Sequence, residues 1–167
     1  SVTDMRDAFG ELESLSDRPE YRNRDAKLDL LTKQNLDGCL LFPTLGVGME
    51  SALENDLPAL QAAFSAFNRW LADDWGFSYK NRLFAAPYIT LSDVRHAVSE
   101  LEFAIDNNVR VINLRASAVT TADGQKSPAD PVFDDFWKRV NDAGITAAFH
   151  AGDAAYNFLF AHWGLST

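Results

Sequence analysis

The chain has 167 residues, 47% hydrophobic and 23% charged, which suits one globular domain with a sizeable core rather than a disordered segment. Fifteen basic against 24 acidic residues leave a net charge of −9, so nucleic acid, which needs a concentrated basic surface, is not an expected partner. No apolar run is long enough for a membrane span and no apolar signal core opens the chain, while the single cysteine, Cys39, excludes an internal disulfide and fits a cytoplasmic setting.

Residues 1–24 form a polar N-terminal segment. Val2, Met5, Phe9, Leu12 and Leu15 recur there at helix-like spacing, and Ser16-Asp17-Arg18-Pro19 breaks the pattern. A helix is predicted over 24–36, closed near Asp37-Gly38. Cys39-Leu40-Leu41-Phe42 is an apolar run stopped by Pro43, the mark of a strand buried on both faces, with Cys39 as a small buried hydrophobe. A glycine-bearing loop over 44–48 leads to a long helix over 50–74 that Pro58 interrupts. Its stripe of Phe64, Phe67 and Trp70 reads as core packing.

The second strand spans 82–89, with Pro87 ending its ladder. Ser92 or Asp93 caps the next helix, whose buried face carries Val94, Val98, Leu101 and Ile105 before Asn107-Asn108 closes it. The third strand, 109–114, ends at Arg115. Residues 116–131 read as a long polar loop around Asp123-Gly124, a length associated with lids and binding. Asp130-Pro131 starts a helix bearing Val132, Phe133, Phe136, Trp137 and Val140. The fourth strand runs from Ile145 to His150, and a last helix is expected over 153–163.

Apolar strands starting near 39, 83, 110 and 145 alternate with helices. That is an α/β pattern of parallel βα repeats with right-handed crossovers, in a (β/α) barrel or an open doubly wound sheet, and 1–167 reads as a single domain. Dinucleotide, P-loop and serine-nucleophile motifs are absent. Sites in such folds lie at the carboxyl ends of the strands. His150 stands at such an end, where an imidazole serves as metal ligand or general base. Arg115 ends the adjacent strand, where a guanidinium suits a substrate carboxylate or else an ion pair. Thr44, Tyr88 and Asn113 lie at or near other strand ends. Asp153 reads as a cap for the next helix, and His96 and His162 fall on helices, His96 facing solvent.

Leu41-Phe42-Pro43-Thr44-Leu45-Gly46, Ala66-Phe67-Asn68-Arg69-Trp70-Leu71, Asp74-Trp75-Gly76-Phe77, Arg82-Leu83-Phe84-Ala85-Ala86-Pro87-Tyr88-Ile89, Ser127-Pro128-Ala129-Asp130-Pro131 and Phe149-His150-Ala151-Gly152-Asp153 together resemble the amidohydrolase family 2 proteins. These include metal-dependent decarboxylases of the aminocarboxymuconate-semialdehyde and resorcylate type. The resemblance spans roughly residues 20–160. It implies a distorted TIM-like (β/α)8 barrel with one divalent metal, usually zinc, at the carboxyl ends of the strands. Family members bind the metal with a His-x-His pair on the first strand, a histidine on the fifth and an aspartate on the eighth. His150 matches the fifth-strand ligand, so the four strands correspond to strands two to five.

The chain has no His-x-His, and three further barrel strands have no counterpart in it. The expectation is therefore part of a hydrolase or decarboxylase of a small carboxylated substrate, inactive in this form, with His150 as metal ligand and Arg115 as substrate anchor. The alternative is a non-catalytic α/β domain that self-associates or binds a partner through its exposed sheet, and a third reading is an open flavodoxin-like binding module. Four strands leave two open edges, so a homo-oligomer is expected.

Overall fold

Asn23 caps the first α-helix among the described residues. Its side chain accepts from the backbone N–H groups of Asp25 and Ala26 at 2.9 and 3.0 Å, which satisfies donors that a helix start leaves free. In the computed structural model, which describes residues 17–43, 46 and 48–150, this helix, α1, spans Arg24–Lys33 and follows a 3-10 turn at Pro19–Tyr21. It ends earlier than the predicted 36 because Asn35 adopts a left-handed conformation, φ 57°, a standard way to stop a helix. The described residues fall into two compact units that divide between Gly38 and Cys39. The helix expected over 153–163, like the one suggested by residues 2–15, lies outside the described residues.

The second unit runs β1 (Cys39–Leu41), α2 (Met49–Ala52), α3 (Leu57–Asp74), β2 (Leu83–Ala85), α4 (Val94–Asp106), β3 (Val111–Arg115), β4 (Val119–Thr121), β5 (Gly124–Lys126), α5 (Asp134–Asp142) and β6 (Thr146–His150). Two local expectations are refined. The break expected near Pro58 falls at residues 53–56, so that two helices replace one, and Pro58 sits in the first turn of α3, whose cap is Asp56, with the carboxylate accepting from Ala59 N at 3.1 Å. A missing N–H costs nothing in that turn. The 116–131 stretch is not a plain loop. It holds the antiparallel hairpin β4–β5, with Gly124 at φ +103° at the turn. Trp137 on α5 pins the following segment by donating to the Pro128 carbonyl at 2.7 Å.

The four longer-range strands are parallel. β1 pairs with β2, and β3 pairs with β6, Val111 opposite Thr146 through Arg115 opposite His150. The two pairs are joined where Tyr88 bridges Asn113, with Asn113 N donating to Pro87 O at 2.8 Å and Ile89 N to Asn113 O at 3.0 Å. Pro87, with no N–H to give, marks the end of the pairing with β1. The order is thus β1-β2-β3-β6, the order of the strands along the chain. On the opposite edge of Tyr88 a side chain takes the place of a strand: Tyr88 N donates to Asn68 Oδ1, and Asn68 Nδ2 donates to Tyr88 O, both at 2.9 Å.

Alternation along the strands sorts the two faces. Ala85, Ile112 and Leu114 join the main core with Ala97, Leu101 and Ala104 of α4 and with Phe133, Phe136 and Val140. The other face carries Leu40, Phe84, Val111, Asn113, Arg115, Ala148 and His150. This face is concave. The ring of Phe42, just past β1, lies 5.5 Å from that of His150, although two strands intervene. In a flat sheet three strand spacings would hold them about 14 Å apart.

The expectation that residues 39–42 are buried on both faces is corrected. Leu40 is 53% exposed and Phe42 36%, and Cys39 is half-buried, because β1 is an edge strand with only β2 beside it among the described residues. The interior strand β3 is buried throughout, and β6, the other edge among the described residues, leaves Phe149 49% exposed. The aromatic stripe of α3 splits as well. Phe64 is buried and Phe67 packs on the core, but Trp70 is 50% exposed, since it falls on the flank of the face set by Leu60, Phe64 and Leu71. No helix among the described residues is long and apolar enough to cross a membrane.

Candidate functional site

β3 and β6 end side by side, so the parallel register sets Arg115 directly opposite His150 at their carboxyl ends. Two residues deeper on the same face, Asn113 is opposite Ala148. The sequence placed His150 and Arg115 at strand ends; the pairing brings them together.

Arg115 is only 8% exposed, and its guanidinium lies 3.6 Å from a carboxylate oxygen of Glu54. That is an ion pair too long for a hydrogen bond. Glu54 sits in the turn between α2 and α3. Glu50 on α2 is buried and accepts from the Thr90 hydroxyl at 2.8 Å, and that hydroxyl oxygen accepts in turn from Ser92 N at 3.2 Å. Glu50 and Arg115 line one cavity of about 10 Å³ with Leu91, Leu114 and Val119, which is room for a single water. The sequence places Glu50 and Glu54 alike in the helix expected over 50–74 and marks neither them nor Thr90 as a site residue. The Asp56-x-Pro58 start of α3 is the signal that separates these carboxylates from the long helix and returns them to the mouth of the sheet.

The His150 ring packs against Phe42, and its Nδ1 is buried without a hydrogen-bond partner among the described residues. Asn113 is fully buried, and neither its amide nitrogen nor its amide oxygen has a partner among the described residues. Tyr88 is buried beside it in the ladder. Thr44, Asp153 and His162 lie outside the described residues.

His96 is not the solvent-facing residue expected. It is half-buried between α4 and α3, with Nε2 3.1 Å from the Ser65 hydroxyl. Ser65 gives its proton to Glu100 at 2.8 Å, so His96 donates to Ser65 through Nε2. Glu100 is the hub of this cluster, which reaches the end of β2 through Asn68 and Tyr88. It is buried and also receives Asn68 and both terminal nitrogens of Arg69. Burial pushes its carboxyl up, but the hydrogen bonds from Arg69, Asn68 and Ser65, with the Arg69 charge, outweigh that and hold it below the ordinary glutamate range.

Among the described residues no three of His, Cys, Asp and Glu stand together as metal ligands would. One imidazole does not make a catalytic zinc site, which takes three protein ligands. The donor set present therefore does not fit a metal by itself.

The chain is similar to part of an amidohydrolase. The crystal structure of an amidohydrolase from Mycobacterium avium subsp. paratuberculosis K-10 matches with a TM-score of 0.87 and 35% sequence identity, over 94% of this chain and 41% of that one. The chain thus spans less than half the length of this relative. No protein-family model matches the chain, and no curated protein does. The likeness supports the amidohydrolase superfamily, and the α/β fold with its parallel βα repeats corresponds to a fragment of a TIM-barrel enzyme.

Proposed function

We propose that this chain is the portion covering strands two to five of an amidohydrolase family 2 enzyme, a hydrolase or non-oxidative decarboxylase of a small carboxylated substrate. The observation that carries the reading is the pairing of Arg115 with His150 at the carboxyl ends of parallel strands, in a chain 35% identical to an amidohydrolase. In this reading Arg115 anchors the substrate carboxylate through paired hydrogen bonds, and substrate displaces Glu54 from it. His150 contributes one ligand to a divalent metal, zinc by the family's habit. The other ligands come from beyond the described residues, and the present residues alone are catalytically incomplete.

Metal analysis of the protein purified from its complete reading frame tests this. About one equivalent of divalent metal is expected, falling below a tenth in His150→Ala with the fold intact by circular dichroism. Metal-free wild-type protein, or a variant that keeps its metal, removes His150 from the ligand set and with it the enzymatic reading.

A specific observation favours a second reading, a non-catalytic domain that associates through its sheet. The two edge strands expose apolar side chains, Leu40 at 53% and Phe149 at 49%, and open parallel edges invite pairing. Light scattering of the 167-residue chain is expected to give a mass above the 18.5 kDa of one copy, and Leu40→Lys is expected to shift it toward the monomer. A clean monomer at high concentration counts against association.

A further inference from the structure

The first turn of α4 and the tip of the β4–β5 hairpin line one cavity of about 230 Å³, together with Val132 and the buried Phe133. It shares only Leu91 with the small cavity beside Arg115, so it is separate from the site at the strand ends.

Donors collect around this cavity without acceptors. Asp93 caps α4, its carboxylate accepting from His96 N and its carbonyl oxygen from Ala97 N, both at 2.9 Å. The N–H groups of Val94 and Arg95 have no acceptor among the described residues, and a helix start carries positive partial charge. Water could satisfy those two groups. Ser92 is different. It lines the cavity and is 4% exposed, yet its hydroxyl has no hydrogen-bond partner among the described residues. A buried hydroxyl left so costs stability and marks a place where a partner is missing. Arg95 and Lys126 line the same cavity, and neither has an ion pair among the described residues, in a chain whose net charge is −9. Two carboxylates also line it. Asp93 is held at the cap by His96 N, and Asp123 is exposed at the hairpin turn, where water and salt screen it.

We propose that this cavity binds the phosphate group of a small phosphorylated ligand. The phosphate oxygens accept from Val94 N, Arg95 N and the Ser92 hydroxyl, and the Arg95 and Lys126 side chains balance the charge. The terminal oxygens of a phosphate monoester supply acceptors enough for all of these donors. The proposal is independent of the reading of Arg115 as a carboxylate anchor.

Calorimetric titration of the protein with inorganic phosphate at fixed ionic strength tests it. Wild type is expected to bind saturably at millimolar phosphate. Ser92→Ala is expected to bind about threefold to tenfold more weakly, the worth of one hydrogen bond. It is also expected to melt no lower than wild type, because the hydroxyl has no partner in the fold to lose. Lys126→Ala is expected to weaken binding by a similar factor, and Asp123→Asn to tighten it, since a carboxylate repels an anion. Lys138→Ala, at an exposed position of α5, is expected to change nothing. Absence of saturable binding in wild type overturns the proposal. So does a Ser92→Ala protein that keeps full affinity or melts several degrees lower, and so does weaker binding by Asp123→Asn. A loss in Lys138→Ala equal to that in Lys126→Ala would mean diffuse attraction to any surface cation, and it overturns the proposal as well.

Discussion

Asn68→Ala is expected to cost the fold about 4 kcal/mol, read as a shifted midpoint in urea unfolding with an unchanged slope. The side chain sits mid-helix on α3 and is almost fully buried. It does the work of a strand for Tyr88, whose N–H and C=O both bond to it at 2.9 Å. Tyr88 is itself buried, so water does not replace the amide. Each orphaned buried group costs about 1–3 kcal/mol, and Glu100 loses a donor as well. The damage falls where β2 hands over from β1 to β3, directly beside Asn113. A loss below about 1 kcal/mol would mean that another group reaches Tyr88 once Asn68 is gone.

The four parallel strands were legible in the sequence because each is an apolar run followed closely by a proline, glycine or charged residue. The helices were legible through their periodicity and caps, as Asp93 shows by accepting from His96 N at 2.9 Å. The β4–β5 hairpin was missed although Asp123-Gly124 is a hairpin signal. Its strands are polar and partly exposed, so no alternation announced them. The exposure of Leu40 was missed for a different reason: an apolar run shows that a strand is worth burying, not whether it lies at an edge. His150 and Arg115 were visible as strand ends, while their opposition depends on register. The Asn68 clamp, the Glu100 cluster and the Glu50–Thr90 bond join residues 20 to 40 positions apart, and no local pattern carries such pairings.

Glu100→Ala is expected to cost about 3 kcal/mol at pH 7, with Glu100→Gln intermediate. The carboxylate is 4% exposed and accepts from Ser65 at 2.8 Å, from Asn68 at 2.9 Å and from Arg69 at 2.8 and 3.0 Å. Arg69 is 43% exposed, so its ionic share is screened and most of the loss comes from the donors left without an acceptor. The folded carboxyl titrates below the ordinary glutamate value of 4.5. The unfolded chain therefore binds more protons between those two values. The Glu100 contribution is complete above about pH 4.5 and is lost as pH falls through the lower, folded value. Urea unfolding from pH 7 down to pH 3 should show Glu100→Ala losing less stability than wild type across the acid limb, and equal slopes would refute the lowered carboxyl. Because Asn68 and Glu100 share a bond, the double variant should cost about 1 kcal/mol less than the sum of the single changes. Strict additivity would mean that the clamp on Tyr88 and the buried carboxylate act independently, and that Glu100 has no part in holding the end of β2.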